Sequence, residues 1–193
     1  MSFRPPPATA CWQHLGVRSG FEVSYFRALE GSWRIDGTTA AIEDTQAWVV
    51  NYRIELDAAW ATRSARITAR TALASCETLL ESDGAGRWLV DGDPARHLEG
   101  CLDVDLESSA MTNALPVHRL DLPIGARAPV PAVYVRAASL TVERLEQEYV
   151  RIADEAVHQR YDYAAPAFDF TCRLVYDEGG LVLDYPGIAV RAG

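Results

Sequence analysis

Two alternating runs between residues 48 and 73 constrain this chain more than any other feature, because the parity of their apolar positions switches from even to odd. Trp48, Val50, Tyr52, Ile54 and Leu56 share one face, with Asn51, Arg53, Glu55 and Asp57 on the other. Ala65, Ile67, Ala69, Thr71 and Leu73 then oppose Arg66, Thr68 and Arg70. Successive side chains of a strand point to opposite faces, so each run reads as a half-buried β-strand. A straight strand cannot change parity, since a one-residue slip turns every side chain over. The runs are therefore two arms of a hairpin with its tip at residues 58–61.

The pattern recurs. Leu102, Val104 and Leu106 alternate with Cys101, Asp103 and Asp105, which places those aspartates on a solvent-facing side. Phe168, Phe170, Cys172, Leu174 and Tyr176 form another apolar face, followed on odd positions by Leu181, Leu183 and Tyr185. Asp36-Gly37, Asp83-Gly84, Asp91-Gly92 and Gly179-Gly180 are dipeptides that tolerate positive φ and are expected turns, the last a tight hairpin. Helix signal is scarce. Residues 141–152 (TVERLEQEYVRI) have helix-forming composition, with a strand carrying Tyr149 and Arg151 on one side as the alternative. Residues 109–120 can hold a helix with Pro116 in its first turn, where a missing N–H is tolerated. The proline-containing stretch 121–131 reads as a loop.

At 193 residues, 49% of them hydrophobic, the chain can build one sizeable core. It is read as a single domain over 1–193, with a flexible proline-containing start over 1–10. A net charge of −9 repels nucleic acid and anionic membrane surfaces, and no basic patch offsets it. No apolar run approaches the ~20 residues that cross a bilayer, so no stable membrane insertion is expected. The first residues lack the apolar stretch of a secretory signal. Cys11, Cys76, Cys101 and Cys172 lie far apart without a Cys-x-x-Cys pair. The expectation is a cytoplasmic protein with reduced thiols and no cofactor.

Asp103-x-Asp105 places two carboxylates on one strand face, the geometry a divalent metal would use, but no calcium-loop glycine accompanies them. His14, His97, His118 and His158 are scattered, and no nucleophile-elbow, zinc-helix or phosphate-loop motif is present. Gly31-Ser32-Trp33 matches the start of the calycin barrels, where Trp seals one barrel end. The plainer reading makes Trp33 and Ile35 core residues. The tip around Trp60 sets an indole beside Arg53, Asp57 and Arg63, the groups that stack on and hydrogen-bond to sugars or polar headgroups. A solvated hairpin with an Asp–Arg pair accounts for the same residues.

Six segments in order resemble the bacterial family of putative glycolipid-binding proteins. They are Gly20-Phe21-Glu22; Tyr52-Arg53 with Asp57, Trp60, Thr62 and Arg63; Gly86-Arg87-Trp88; residues 100–106 (GCLDVDL); residues 112–120 (TNALPVHRL); and residues 177–187 (DEGGLVLDYPG). The chain departs from the family pattern at Ala110, where a proline is expected, and at Ala114, where a second Thr is expected. The resemblance implies a mainly β fold: a long antiparallel sheet curled as a spiral β-roll around one helix, similar to periplasmic lipoprotein carriers. Fold alone does not establish function. A curled sheet with an unfilled apolar face would gain roughly 10 kcal/mol gross from a dozen acyl methylenes at ~0.8 kcal/mol each.

The sequence reading is thus a non-catalytic binder of a glycolipid or other amphipathic lipid. Arg53, Asp57, Trp60, Arg63, Asn113 and Arg119 are the expected headgroup contacts. Trp60→Ala and Arg63→Ala are expected to weaken binding with little change in melting temperature. A cofactor-free enzyme acting on a hydrophobic small molecule is the alternative, and would need a titratable pair such as Glu22 with Arg53 or Asp103 with His118. A calycin-like carrier and an interaction module using exposed sheet edges are the remaining readings.

Overall fold

The parity switch is a hairpin. In the computed structural model, which describes residues 3–192, β4 (Gln46–Asp57) and β5 (Thr62–Thr71) pair antiparallel, with Tyr52 opposite Ile67. Trp60 closes the tip in a left-handed conformation, φ 68°, and a bulge follows at Glu55/Leu56. The same logic joins β1 (Thr9–His14), β2 (Arg18–Leu29) and β3 (Ser32–Glu43) before it. After it come β6 (Ser75–Ser82), β7 (Trp88–Val90) and β8 (Asp93–Pro94). Asp91 and Gly92 both take positive φ (52° and 87°), as a two-residue hairpin turn with the sheet's own twist requires. Residues 177–181, with Gly179-Gly180, join β15 (Phe170–Tyr176) to β16 (Val182–Tyr185), and Asp177 Oδ1 accepts from the Gly179 and Leu181 N–H groups. A bulge at Val175/Tyr176 breaks the odd alternation there and turns Val182 inward.

Asp36-Gly37 is no turn. Both residues sit mid-strand in β3, opposite Tyr25 and Ser24. Gly37 is required for another reason: a Cβ there would lie 2.1 Å from Cζ of Tyr52, whose ring crosses the inner face at that point. Gly37→Ala should therefore cost about 1–3 kcal/mol by overpacking. Urea unfolding would measure this, and an unchanged midpoint would refute the account.

The second half forms β13 (Glu148–Glu155), β14 (His158–Ala165), β15, β16 and β17 (Ala189–Ala192). β17 pairs with β1, so the first and last strands meet in mid-sheet. The result is one 14-stranded antiparallel sheet that starts at β10 (Arg127–Pro129) and runs in the order β10-β13-β14-β15-β16-β17-β1-β2-β3-β4-β5-β6-β7-β8, curled but not closed into a barrel. Its edges, β8 and β10 (Arg127–Pro129), are two and three residues long and each ends in proline. Short edges lacking a donor resist further pairing, which argues against the edge-docking reading.

Residues 141–152 are not helical. They split into β12 (Val142–Leu145) and the start of β13, with Tyr149 and Arg151 buried together on the inner face, as the strand alternative had it. Pairing with β14 overrides the helix-forming Glu, Leu and Gln composition. The segment 109–120 does become helix: a 3₁₀ turn (Met111–Asn113) runs into α1 (Ala114–Leu120), with Pro116 its third residue. Residues 121–131 form a loop that ends in edge strand β10.

The concave face holds more than one helix. β9 (Asp103–Leu106), β11 (Ala132–Val135) and β12 make a three-stranded inner sheet, β9 running parallel to β11. β9 is covered on both faces, so Cys101 and Asp103 are buried rather than facing solvent. A first core packs Trp12, Ile35, Trp48 and Leu80 against Val104, Met111 and Leu115. A second gathers Tyr149, Tyr161, Tyr163 and Tyr176 around Val117. α1 thus pins two arms of the roll together.

The two ends of the roll differ. At one, Trp60 stacks on His118 at 3.7 Å with planes 6° apart, and Trp33 and Phe3 close around them. At the other, the β1–β2 tip, the β3–β4 tip and the connection after β14 stand around an opening.

Candidate ligand-binding cleft

The inner positions of β2 are even, and they carry polar groups where a plain core would be apolar. Glu22 is fully buried. Its Oε1 accepts from the Tyr52 hydroxyl (2.6 Å) and the Ser109 hydroxyl, and its Oε2 from the Ala110 N–H (2.7 Å). Ser24 shares the Tyr52 hydroxyl at 2.6 Å. Burial outweighs these bonds and raises the Glu22 pKa. His14 Nε2 lies 3.8 Å from Glu22 Oε2, neither ring nitrogen has a hydrogen-bond partner among the described residues, and burial lowers its pKa to about 4. Burial thus works against the charged form of both groups, as a dry interior does.

Ser109 is also where this network meets a cleft of about 320 Å³ at the open end. The inner wall is made by Asp105, Asn113, Tyr134, Tyr163 and Tyr185. Asp105 Oδ2 accepts from Gln147 Nε2 at 2.5 Å and Oδ1 from Thr112 at 3.1 Å. Burial nonetheless raises its pKa to about 6. The mouth is rimmed by Leu15, Val17 and Phe168, of which Val17 is 69% exposed. Arg18 and Arg136 flank it and share Glu107: Arg18 donates to its backbone oxygen (2.5 Å), and Arg136 sits 3.4 Å from its carboxylate. Glu43 and Glu143 take the remaining sides of these guanidinium groups. Two of the larger concavities, about 480 Å³ beside Trp88 and about 520 Å³ over Ala40 and Trp48, are surface grooves with no buried polar side chain in their walls.

Of the residues expected to touch a headgroup, Asn113 lines this cleft, with its Oδ1 accepting from the Tyr149 hydroxyl at 2.9 Å. The others lie elsewhere. Arg53 is on the outer face, paired with Asp36 at 2.7 Å. Asp57 Oδ1 caps the hairpin tip through the Ala59 and Ala61 N–H groups, and Arg63 is exposed, 3.9 Å from Asp57. Trp60 is 8% exposed at the closed end of the roll. Arg119 holds the buried Asp103 with two nitrogens. Neither titratable pair forms, since Glu22 and Arg53 lie on opposite faces of the sheet, and His118 bonds Gly179 O at 2.9 Å. Among the described residues, no three His, Cys, Asp or Glu side chains gather as metal ligands.

Arg18, Tyr134, Arg136, Tyr163 and Tyr185 were not singled out from the sequence. A signal for part of the set exists: Tyr149, Tyr161 and Tyr163 share the inner parity of β13 and β14, and buried tyrosines need partners for their hydroxyls.

A family model described as putative glycolipid-binding matches residues 9–191. The crystal structure of a DUF1089 family protein from Pseudomonas aeruginosa is 30% identical, covers 98% of this chain and 95% of that one, and superposes with a TM-score of 0.78. A β-barrel-like protein of the DUF1849 domain of unknown function, from Brucella abortus, is 11% identical with a TM-score of 0.56 over 98% of this chain and 96% of that one, a likeness of fold alone. No curated protein matches the chain.

Proposed function

The chain belongs to the putative glycolipid-binding family, and from that premise we propose that it binds an amphipathic lipid or glycolipid, without catalysis, in the cleft at the open end of the roll. One observation carries the reading. The walls of the cleft combine aromatic faces with buried polar groups, as pockets for small amphipathic ligands do. At about 320 Å³ it stands at the floor of the ~300–1,000 Å³ range for ligand pockets, enough for part of a lipid and not for a whole diacyl molecule. The inner sheet and α1 fill the rest of the concave face.

Organic extraction of the purified protein should release a co-purifying amphiphile. Ala165→Phe, which adds a ring to the cleft wall from β14, should abolish that yield, at a cost of about 1–3 kcal/mol from overpacking that buried position. Arg63→Ala, at the far end of the roll, should leave the yield unchanged. Loss of the amphiphile in Arg63→Ala, with retention in Ala165→Phe, would move the site to the hairpin tip.

A further inference from the structure

Resting on that reading, we infer which part of the ligand enters: an uncharged, hydroxyl-bearing head of the sugar or polyol class goes in against Asp105, Asn113 and Tyr134, and the hydrocarbon tail leaves past Leu15, Val17 and Phe168.

The order of polarity along the cleft sets this orientation. Asn113 and Tyr134 are 4% and 7% exposed, whereas Val17 and Phe168 at the mouth are 69% and 43% exposed. A tail-first ligand would set methylenes against a carboxylate and an amide and leave the apolar rim in water, both unfavourable. The inner groups also have capacity to spare. An ionised carboxylate accepts about four hydrogen bonds, and Asp105 takes one from Gln147 and one from Thr112. Among the described residues, the Asn113 Nδ2 group and the Tyr134 hydroxyl have no protein partner. The inner wall therefore offers an acceptor, a donor and a group that is either, which matches vicinal hydroxyls.

Charge excludes an anionic head. Arg18 and Arg136 face Glu43, Glu107 and Glu143, three carboxylates against two guanidinium groups, and Asp105 lies further in. Among the described residues at the cleft no cation is left over for a phosphate or carboxylate to claim, and the local field repels it. The rings of Tyr163 and Tyr185 add aromatic surface for a pyranose, whereas the Tyr134 ring is covered by Arg136 at 5.1 Å and contributes its hydroxyl.

The test is calorimetric titration of the full chain with single-chain octyl probes below their micelle concentrations: octyl β-glucoside, octanoate, octylphosphocholine and octyltrimethylammonium. The glucoside should bind at least about tenfold tighter than each of the others, the discrimination one or two charge-assisted hydrogen bonds supply. Asp105→Asn should weaken the glucoside about tenfold, and Tyr134→Phe should weaken it several-fold. Val17→Ser should reduce the advantage of octyl over methyl glucoside without touching methyl glucoside itself. Tightest binding of octyltrimethylammonium would show that Asp105 reads charge rather than hydroxyls, and would overturn the inference. So would equal binding of all four probes with no effect of Asp105→Asn or Tyr134→Phe, which shows a tail-first ligand and leaves the lipid-binding reading standing. Should Asp105→Asn fail to fold, Tyr134→Phe and the probe ranking decide alone. If no probe binds, the lipid-binding reading falls with it.

Discussion

Glu22→Ala is expected to destabilise the protein by more than about 3 kcal/mol, a large share of the ~5–15 kcal/mol that holds a domain together. The substitution strands three donors inside the roll: the Tyr52 and Ser109 hydroxyls and the Ala110 N–H. Each buried unsatisfied group costs roughly 1–3 kcal/mol, and the missing side chain adds a cavity. Glu22→Gln keeps the volume and one acceptor, so it should recover about half of the loss. The pH dependence separates charge from shape. Burial raises the Glu22 pKa above 4.5, so the native state holds a proton that the unfolded chain releases above that value. The stabilisation from this proton is complete below pH 4.5 and declines as pH rises through the native pKa. The deficit of Glu22→Gln against the parent chain should therefore shrink as pH rises from 4.5 in urea titrations. A deficit that grows with pH would mean that Glu22 is ionised in the native state.

That network also marks how far local reasoning reaches. Alternation of period two is a property of neighbours in sequence, and the β4–β5 hairpin was legible because its contacts are between neighbours. The failures share a cause: a partner distant in sequence decides the outcome. Gly37 looked like half of a turn, but it answers to a ring fifteen residues on. Residues 141–152 carry helix formers, yet β14 supplies a ladder for Tyr149 and Arg151 that no helix could offer. Asp103 and Asp105 looked solvent-facing because a half-buried strand is the ordinary case, whereas β9 lies inside the roll beside parallel β11. Asp103 is buried against Arg119 and Asp105 half-buried against Gln147 and Thr112, and nothing near Asp103 in sequence announces that set. Trp60 was legible as a hairpin-tip residue but not as a buried one, since His118 comes from α1. For the cleft the sequence offered Asn113, in the one matched segment that reads least like strand, and left the tyrosine wall unread.

Arg119→Ala should cost about 3–5 kcal/mol, the usual penalty for removing one member of a buried ion pair. Arg119 Nε lies 3.0 Å from Asp103 Oδ1 and its terminal nitrogen 2.5 Å from Oδ2, and the two side chains are 15% and 2% exposed. Burial already raises the Asp103 pKa, with Arg119 as the opposing influence. Without the guanidinium only burial remains, and the native carboxyl is pushed further up. Native Asp103 in the variant then binds a proton that the unfolded chain, near 3.8, has lost, so stability falls as pH rises through the window between those values. The deficit of Arg119→Ala should accordingly be largest at pH 8 and smaller at pH 5.5. Adding Asp103→Asn should return much of the stability at pH 8, because no charge is then left unpaired. The double variant also settles what Arg119 does for the ligand. Asp103 ties β9 to α1 through Arg119, and Asp105, two residues on, faces the cleft. If Arg119 serves only to hold that strand, the folded double variant should bind octyl β-glucoside like the parent chain. A tenfold loss with stability restored would place Arg119 among the headgroup contacts after all. Equal deficits at both pH values, with no recovery from Asp103→Asn, would show that the pair is not what anchors β9.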